Sequence, residues 1–324
     1  MDPIALHEIE RAAAFLRSWM APTPQYTWPL LAARTGCEVF VKHENHTPIG
    51  AFKVRGGLVM ADALQRLNRA PAGLISATRG NHGQSLAFAG RALGIPVTMV
   101  VPHGNSPEKN AAMRALGARL LECGRDFDAA RAEASRVASE CGLYMVSPFA
   151  REIVCGVATY ALELFRAVDG IDTVYVPVGM GSGICGAIQV RDLLGLRTRI
   201  VGVVSERAPA FARSFEEGRI VTTDTADTFA DGLACREPLE EAVAIVRRGA
   251  DRLVRVSDEE VAGAILALYT DTHNLAEGAG AAPLAALLHE SETLRGRRVA
   301  LILSGGNIDL DTFRRLGDGS ARPR

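Results

Sequence analysis

The chain has 324 residues, a formal net charge of -1 and 48% hydrophobic residues, enough to bury a substantial core in two domains or one large α/β unit. Basic and acidic residues are interleaved, so no basic stripe marks a nucleic-acid surface and no charge block marks an interaction tail. No apolar run reaches the ~18 residues of a membrane span, and a start carrying Asp2, His7, Glu8, Glu10 and Arg11 is unlike a signal peptide. Six scattered cysteines (Cys37, Cys123, Cys141, Cys155, Cys185, Cys235) show no C-x-x-C pair or Cys/His ligand spacing. They read as reduced, mostly buried thiols of a cytoplasmic protein.

In chain order, helical spacing covers Ile4 to Met20 and stops at Pro22 and Pro24. Thr23 to Leu30 reads as a loop into a short helix ending at Gly36, followed by a strand from Glu38 to His43 and a helix from Leu58 to Arg69. A β-α alternation follows: strand Leu74–Ser76, helix Gly83–Leu93, strand Val97–Val101, helix Pro107–Leu116, strand Arg119–Glu122, helix Asp126–Glu140, strand Leu143–Val146. The second series runs helix Val157–Val168, strand Thr173–Val178, helix Cys185–Leu194, strand Arg199–Val204 and helix Ala208–Gly218. After a loop from Thr222 to Ala234 come helix Leu239–Arg248, strand Leu253–Val256 and a helix to Tyr269 opened by the capping box Ser257-Asp258-Glu259-Glu260. Helix Glu277–Leu288 and the buried strand Arg298–Leu303 close the series, and Gly317 to Arg324 reads as a frayed tail. Such alternation predicts parallel sheets covered by helices.

Four stretches carry chemistry. In Pro48-Ile49-Gly50-Ala51-Phe52-Lys53-Val54-Arg55-Gly56-Gly57 a lysine sits among apolar and small residues. Desolvation there disfavours the ammonium form and makes the amine a usable nucleophile or base. Val178-Gly179-Met180-Gly181-Ser182-Gly183-Ile184-Cys185-Gly186 lies between a buried strand and a helix. Glycines let successive N–H groups converge there beside the positive helix end, which suits a phosphate. A Rossmann dinucleotide site is the rival, weakened by Ile184 at the closing position and kept open by Ser205-Glu206 after the next strand. In Thr78-Arg79-Gly80-Asn81-His82-Gly83-Gln84-Ser85, Thr78, Asn81 and the helix-opening N–H groups suit a carboxylate or a ring hydroxyl, with an N-cap by Asn81 as the plainer reading. Ser304-Gly305-Gly306-Asn307 ends the last strand, at the sheet edge where α/β folds bind ligands, or is a simple turn.

Together these residues resemble the threonine/serine dehydratase family of pyridoxal-phosphate enzymes, which includes serine racemase. Gly-Ala-Phe-Lys-Val-Arg-Gly around Lys53, Gly-Asn-His-Gly-Gln at residues 80–84, the loop at 179–183 and Ser-Gly-Gly-Asn at 304–307 stand in the family's order. Val97 to Pro102 and Ala230-Asp231-Gly232 match further segments, so the resemblance runs from about Thr23 to Leu310. It implies an α/β fold of type II, with two open, twisted parallel-sheet domains bearing helices on both faces. Residues 1–70 and 144–324 would form the large cofactor domain, and 71–143 a small mobile domain closing over the substrate. Lys53 would be the Schiff-base lysine and the base at the substrate Cα, beside Phe52. Asn81 would bind the pyridine 3-hydroxyl, and Glu277 matches a family glutamate near the cofactor. The N–H groups of Gly179, Met180, Gly181, Ser182 and Gly183 would hold the phosphate. Ser304 would face the ring nitrogen, making the ring a weaker electron sink that favours β-elimination. Thr78, Gly80, Asn81 and His82 would hold the substrate carboxylate.

Departures from the family pattern bear on the substrate. Thr78 and Arg79 stand where the family has two serines, and the second of those is the opposite-face acid/base of serine racemase. Arginine keeps its proton, which argues against racemisation, and Arg79 is a candidate contact for an anionic substrate group or a surface residue. Arg236, after Cys235, is a second candidate for a substrate side chain or carboxylate. Gly156-Val157-Ala158-Thr159 replaces Gly-Gln-Gly-Thr, and Ser205 and Phe211 replace the acidic residues that hold a divalent ion in racemase-like members, so no metal site is expected. The chain ends soon after the last motif, so no C-terminal regulatory domain is expected. The expected activity is an ammonia-lyase for L-threonine or L-serine. Alternatives are a dehydratase for 3-hydroxyaspartate or 3-phenylserine, a racemase, or an inactive cofactor-binding regulator. A homodimer with an amino-acid substrate and no nucleic-acid or membrane partner is implied.

Overall fold

The computed structural model describes residues 1–66 and 71–317. Its helices include α1 (Leu6–Leu16), α2 (Pro29–Thr35), α5 (Pro107–Ala115) and α6 (Phe127–Cys141), and two sheets organise it. The larger has six strands: β1 (Gln25–Thr27), β2 (Glu38–His43), β7 (Thr173–Pro177), β8 (Arg199–Ser205), β9 (Arg252–Val256) and β10 (Arg298–Leu303), ordered β1-β2-β10-β7-β8-β9. All neighbours are parallel except β1, which pairs antiparallel with β2. The smaller sheet is parallel, with β3 (Leu74–Ala77), β4 (Val97–Val101), β5 (Arg119–Glu122) and β6 (Tyr144–Met145) ordered β5-β4-β3-β6. The central strands are buried on both faces, as continuous apolar runs such as Val-Ala-Leu-Ile-Leu in β10 require. Among the described residues no helix is long and apolar enough to cross a membrane.

Five predicted elements need correction. Residues 25–27, read as loop, form the edge strand β1: flanking prolines hid a pairing too short to show periodicity. Helix α3 spans Lys53–Arg66 rather than starting at Leu58, and residues 67–69 of that predicted helix lie outside the described residues. Helix α7 spans Arg151–Ala167, six residues longer at its start than predicted. In both helices a glycine near the start, Gly56 in α3 and Gly156 in α7, is there for packing. A Cβ on Gly156 would meet the Arg55 carbonyl at 2.4 Å, so α3 and α7 touch backbone to backbone. Helix α8 (Ser182–Leu193) begins inside the glycine loop, and α4 (Asn81–Leu93) begins at Asn81 with Gly80 as its cap, so Asn81 does not cap. The predicted frayed tail beyond Gly317 lies outside the described residues.

Behind the start of α3 lies a buried cluster of two cations and two anions. Arg55 is 1% exposed; its guanidinium donates two bonds to Glu44 (2.7 and 2.9 Å), two to Glu163 (2.7 and 2.8 Å) and one to Thr159 (3.0 Å). Lys42, fully buried on β2, completes the balance by donating to Glu163 (2.6 Å) and to the Thr23 carbonyl (2.7 Å). Paired bidentate geometry offsets the desolvation that such charges suffer. Arg55→Met leaves two buried carboxylates with one remaining cation and is expected to cost about 3–5 kcal/mol, read as a lower urea midpoint at unchanged slope. A loss under about 1 kcal/mol would mean that the cluster contributes little to folding.

Candidate active site

The carboxyl ends of both sheets open onto one cavity of about 830 Å³. Lys53, the first residue of α3, lies in its wall, and its Nζ donates to Ser182 Oγ at 3.0 Å. The amine also lies 4.9 Å from the centroid of the Phe52 ring. Burial pulls its pKa down to about 8, and the Glu277 charge opposes the shift. The start of its own helix and of α8 acts in the same direction as burial, since helix N-termini disfavour cations. The chain contains three lysines, Lys42, Lys53 and Lys109. Lys42 is paired with Glu163 and Lys109 with Asp231, while Lys53 has no ion pair among the described residues. It is the lysine whose amine is available.

Its backbone is pinned from three sides. The Phe52 N–H donates to the Ser304 carbonyl (2.9 Å), Ala51 bridges Gly305, and Ser85 Oγ donates to the Lys53 carbonyl. The Ser304 side chain faces the cavity, and its hydroxyl has no hydrogen-bond partner among the described residues.

Opposite the amine, the loop between β7 and α8 presents the N–H groups of Gly179, Met180, Gly181, Ser182 and Gly183, none with an acceptor among the described residues. Gly181 caps the helix at φ 94°, a left-handed turn, and gives no side-chain cap. A Cβ on Gly179 would lie 2.2 Å from the Gly232 carbonyl, so the loop lies flat against residue 232. Tyr160, which no sequence motif marks, braces the loop: its hydroxyl donates to the Gly183 carbonyl (2.8 Å) and its ring meets Phe52 edge-on. The Met180 sulfur rests 3.7 Å from that of Cys235.

On the smaller-sheet side, Thr78 Oγ1 accepts from the N–H groups of Gly80 and Gly83, both at 3.0 Å. This shapes the turn and leaves the N–H groups of Arg79, Asn81 and His82 without acceptors among the described residues. Asn81 Nδ2 donates to Glu277 Oε1 (2.6 Å), and its Oδ1 accepts from Asn307 (2.8 Å). Burial raises the Glu277 pKa to about 6. The His82 ring is committed elsewhere. Ser76 Oγ donates to the Val146 carbonyl and so accepts from His82 Nε2 at 3.2 Å, while burial and the Lys53 charge lower the imidazole pKa to about 3. What His82 offers an anion is therefore its backbone N–H.

Arg79 crosses the cleft to Asp231 Oδ1 (3.2 Å), and Lys109 reaches Asp231 Oδ2 (2.8 Å). Arg236 also lines the cavity and donates to the Asp224 carbonyl (2.9 Å). Lys109 gave no signal in sequence, because a lysine in the first turn of a polar helix looks like any solvated charge. Ser205 and Phe211 are both buried, with Ser205 Oγ accepting from the Arg207 N–H. Among the described residues no cluster of histidine, cysteine or carboxylates could hold a metal ion.

The family model described as pyridoxal-phosphate dependent enzyme matches residues 16–305. An L-threonine ammonia-lyase of Geobacter sulfurreducens is 38% identical over 281 residues, 86% of this chain and 70% of that protein. A beta-hydroxyaspartate dehydratase of Paracoccus denitrificans is 33% identical over 96% of each chain. The processed form of threonine deaminase isoform 2 from Solanum lycopersicum superposes with a TM-score of 0.88 at 28% identity, covering 98% of this chain and 95% of that one.

Modification of Lys53 by an amine-reactive reagent is expected to rise through a midpoint near pH 8. Because the Glu277 carboxylate favours the ammonium form, Glu277→Gln removes a stabilising charge and moves that midpoint lower. Peptide mass spectrometry of the labelled protein reads both, and a midpoint that rises or stays fixed in the variant contradicts the coupling.

Proposed function

This chain belongs to the pyridoxal-phosphate dependent enzymes, and from that premise we propose that it is an ammonia-lyase, eliminating water from β-hydroxy L-amino acids of the L-threonine and L-serine type. One observation carries the proposal: the Lys53 amine, which has no ion pair among the described residues, donates to Ser182 on a loop whose N–H groups have no acceptor among them. A cation facing a helix N-terminus is electrostatically unfavourable, so the arrangement calls for an anion between them.

The residues fit the cofactor. Five N–H donors at Gly179, Met180, Gly181, Ser182 and Gly183 suit its phosphate, and a lysine with a lowered pKa suits its aldehyde. Asn81, Phe52 and Glu277 would border the ring, and the Ser304 hydroxyl would meet the ring nitrogen without fixing a proton there. When bound, pyridoxal phosphate supplies a conjugated ring that takes up the electrons released as the substrate Cα–H bond breaks.

The chain's own residues supply the rest. The free N–H groups of Arg79, Asn81 and His82, in the turn shaped by Thr78 and Gly80, would bind the substrate carboxylate. Lys53, partly neutral near pH 8, would take the Cα proton. The β-hydroxyl would leave as water, taking up the equivalent of the proton that Lys53 removes, and the enamine set free would become an imine that water hydrolyses to a 2-keto acid and ammonia. Residues 71–143 would act as the small closing unit. They are tied across the cleft by Ser106 to Asp309 (2.6 Å) and Glu108 to the Leu310 N–H (2.9 Å), contacts that exclude water when made. Resemblance to the dehydratase family makes a homodimer the expected form, and the six free, scattered cysteines favour a cytoplasmic one. Racemisation is the weaker reading because Arg79, beside Asp231, keeps its proton and cannot exchange one with Cα. An inactive regulator is weaker still, given the intact Lys53, Asn81 and Ser304.

The purified protein is expected to be yellow and to release ammonia and keto acid from L-threonine or L-serine. Lys53→Ala should lose the visible band and at least about 10³-fold in turnover. A wild-type protein that stays colourless with added cofactor would overturn the proposal, and D-isomer as sole product would replace it with a racemase.

A further inference from the structure

Resting on the ammonia-lyase reading and narrowing it, we infer that Arg79 and Lys109 form a receptor for an acidic group on the substrate's Cβ. The favoured substrate is then a β-hydroxy dicarboxylic amino acid, of which 3-hydroxyaspartate is the simplest. The two cations line the same cavity as Lys53 and converge on one carboxylate, Asp231, each taking a different oxygen. A place already occupied by a carboxylate of the protein is chemically matched to a carboxylate of the substrate.

The hold on Asp231 is loose on the arginine side. Arg79 is 42% exposed, and a single N–H at 3.2 Å is its only side-chain hydrogen bond among the described residues. The bidentate face of the guanidinium, the geometry that recognises carboxylates best, is unused. Asp231 itself sits on a short turn at residues 231–233 and is 32% exposed. Its side chain can turn to solvent without disturbing a strand or long helix. Lys109 is only 11% exposed, and its stem passes 2.6 Å from where a Cβ on Gly80 would stand. That places it over the turn whose free N–H groups suit the α-carboxylate. Burial works against its charge, but the carboxylates of Asp231, Glu277 and Asp309 outweigh burial and raise its pKa, so it stays charged.

The arrangement therefore offers two anion places within one cavity. The backbone cradle at the start of α4 takes the carboxylate shared by all amino acids, and the Arg79–Lys109 pair takes the one that only a dicarboxylic substrate has. Loss of water from 3-hydroxyaspartate followed by hydrolysis returns that water and yields a four-carbon 2-oxo dicarboxylic acid and ammonia, with atoms and charge balanced.

The holoenzyme is assayed with L-threo- and L-erythro-3-hydroxyaspartate, L-threonine and L-serine, scoring keto acid and ammonia as kcat/KM. The wild type is expected to favour one 3-hydroxyaspartate isomer over L-threonine by about tenfold or more. Arg79→Ala is expected to move that ratio about 10- to 100-fold toward threonine, with Lys109→Gln moving it the same way. Retention of the visible band shows that each variant still binds cofactor; if Arg79→Ala does not, Arg79→Lys, which keeps the charge and loses the fork, takes its place with a smaller shift in the same direction. A wild-type preference for threonine, or a ratio that stays fixed because both substrates weaken in parallel, overturns the inference while leaving the ammonia-lyase reading intact. No turnover of any of the four overturns both.

Discussion

Everything in this molecule turns on holding one lysine where a lysine is electrostatically uncomfortable. Lys53 stands at the start of its own helix and points at the start of another, with only the buried Glu277 near enough to raise its pKa. Burial and two helix N-termini act together against the ammonium form. The consequence is an amine with a pKa near 8, poised to give up its charge, facing donors that call for an anion.

Such a placement persists only when the surroundings are over-determined. Backbone-to-backbone contact between α3 and α7 at Gly156, the bond from Phe52 to Ser304 and the Ala51–Gly305 bridge fix the start of α3 to the end of β10. Two residues on, Arg55 anchors the same turn in the four-charge cluster with Glu44, Glu163 and Lys42. The lysine is therefore carried on rigid elements rather than on a loop, and the adjustable charges are left at the rim, where Arg79, Lys109 and Asp231 meet across the cleft.

Much of this was legible in the sequence, for reasons that differ from residue to residue. The buried strands Glu38–His43, Val97–Val101 and Arg298–Leu303 stand where their apolar, β-branched runs place them, and the half-buried edge strand Arg119–Glu122 follows from the β-α alternation. Lys53, the loop at 179–183, Asn81 and Ser304 converge on one cavity, as their shared position at strand ends anticipated. Helices begin earlier than expected, at Lys53 and Arg151, and the glycines at 56 and 156 sit inside them because they serve close helix packing. His82 was expected to face a carboxylate, and its ring instead pairs with Ser76, a partner six residues back that no motif reveals. Lys109 and Tyr160 carry no local signal because long-range geometry alone brings them to the site.

Lys53, and not Lys42 or Lys109, is the amine proposed to hold the cofactor. With three lysines in the chain, reduction of the holoenzyme with borohydride followed by peptide mapping tests this directly. A single phosphopyridoxyl tag is expected on the peptide containing Lys53, with Lys42 and Lys109 unmodified; a tag on either of those two, with Lys53 left free, would contradict the proposed role of Lys53.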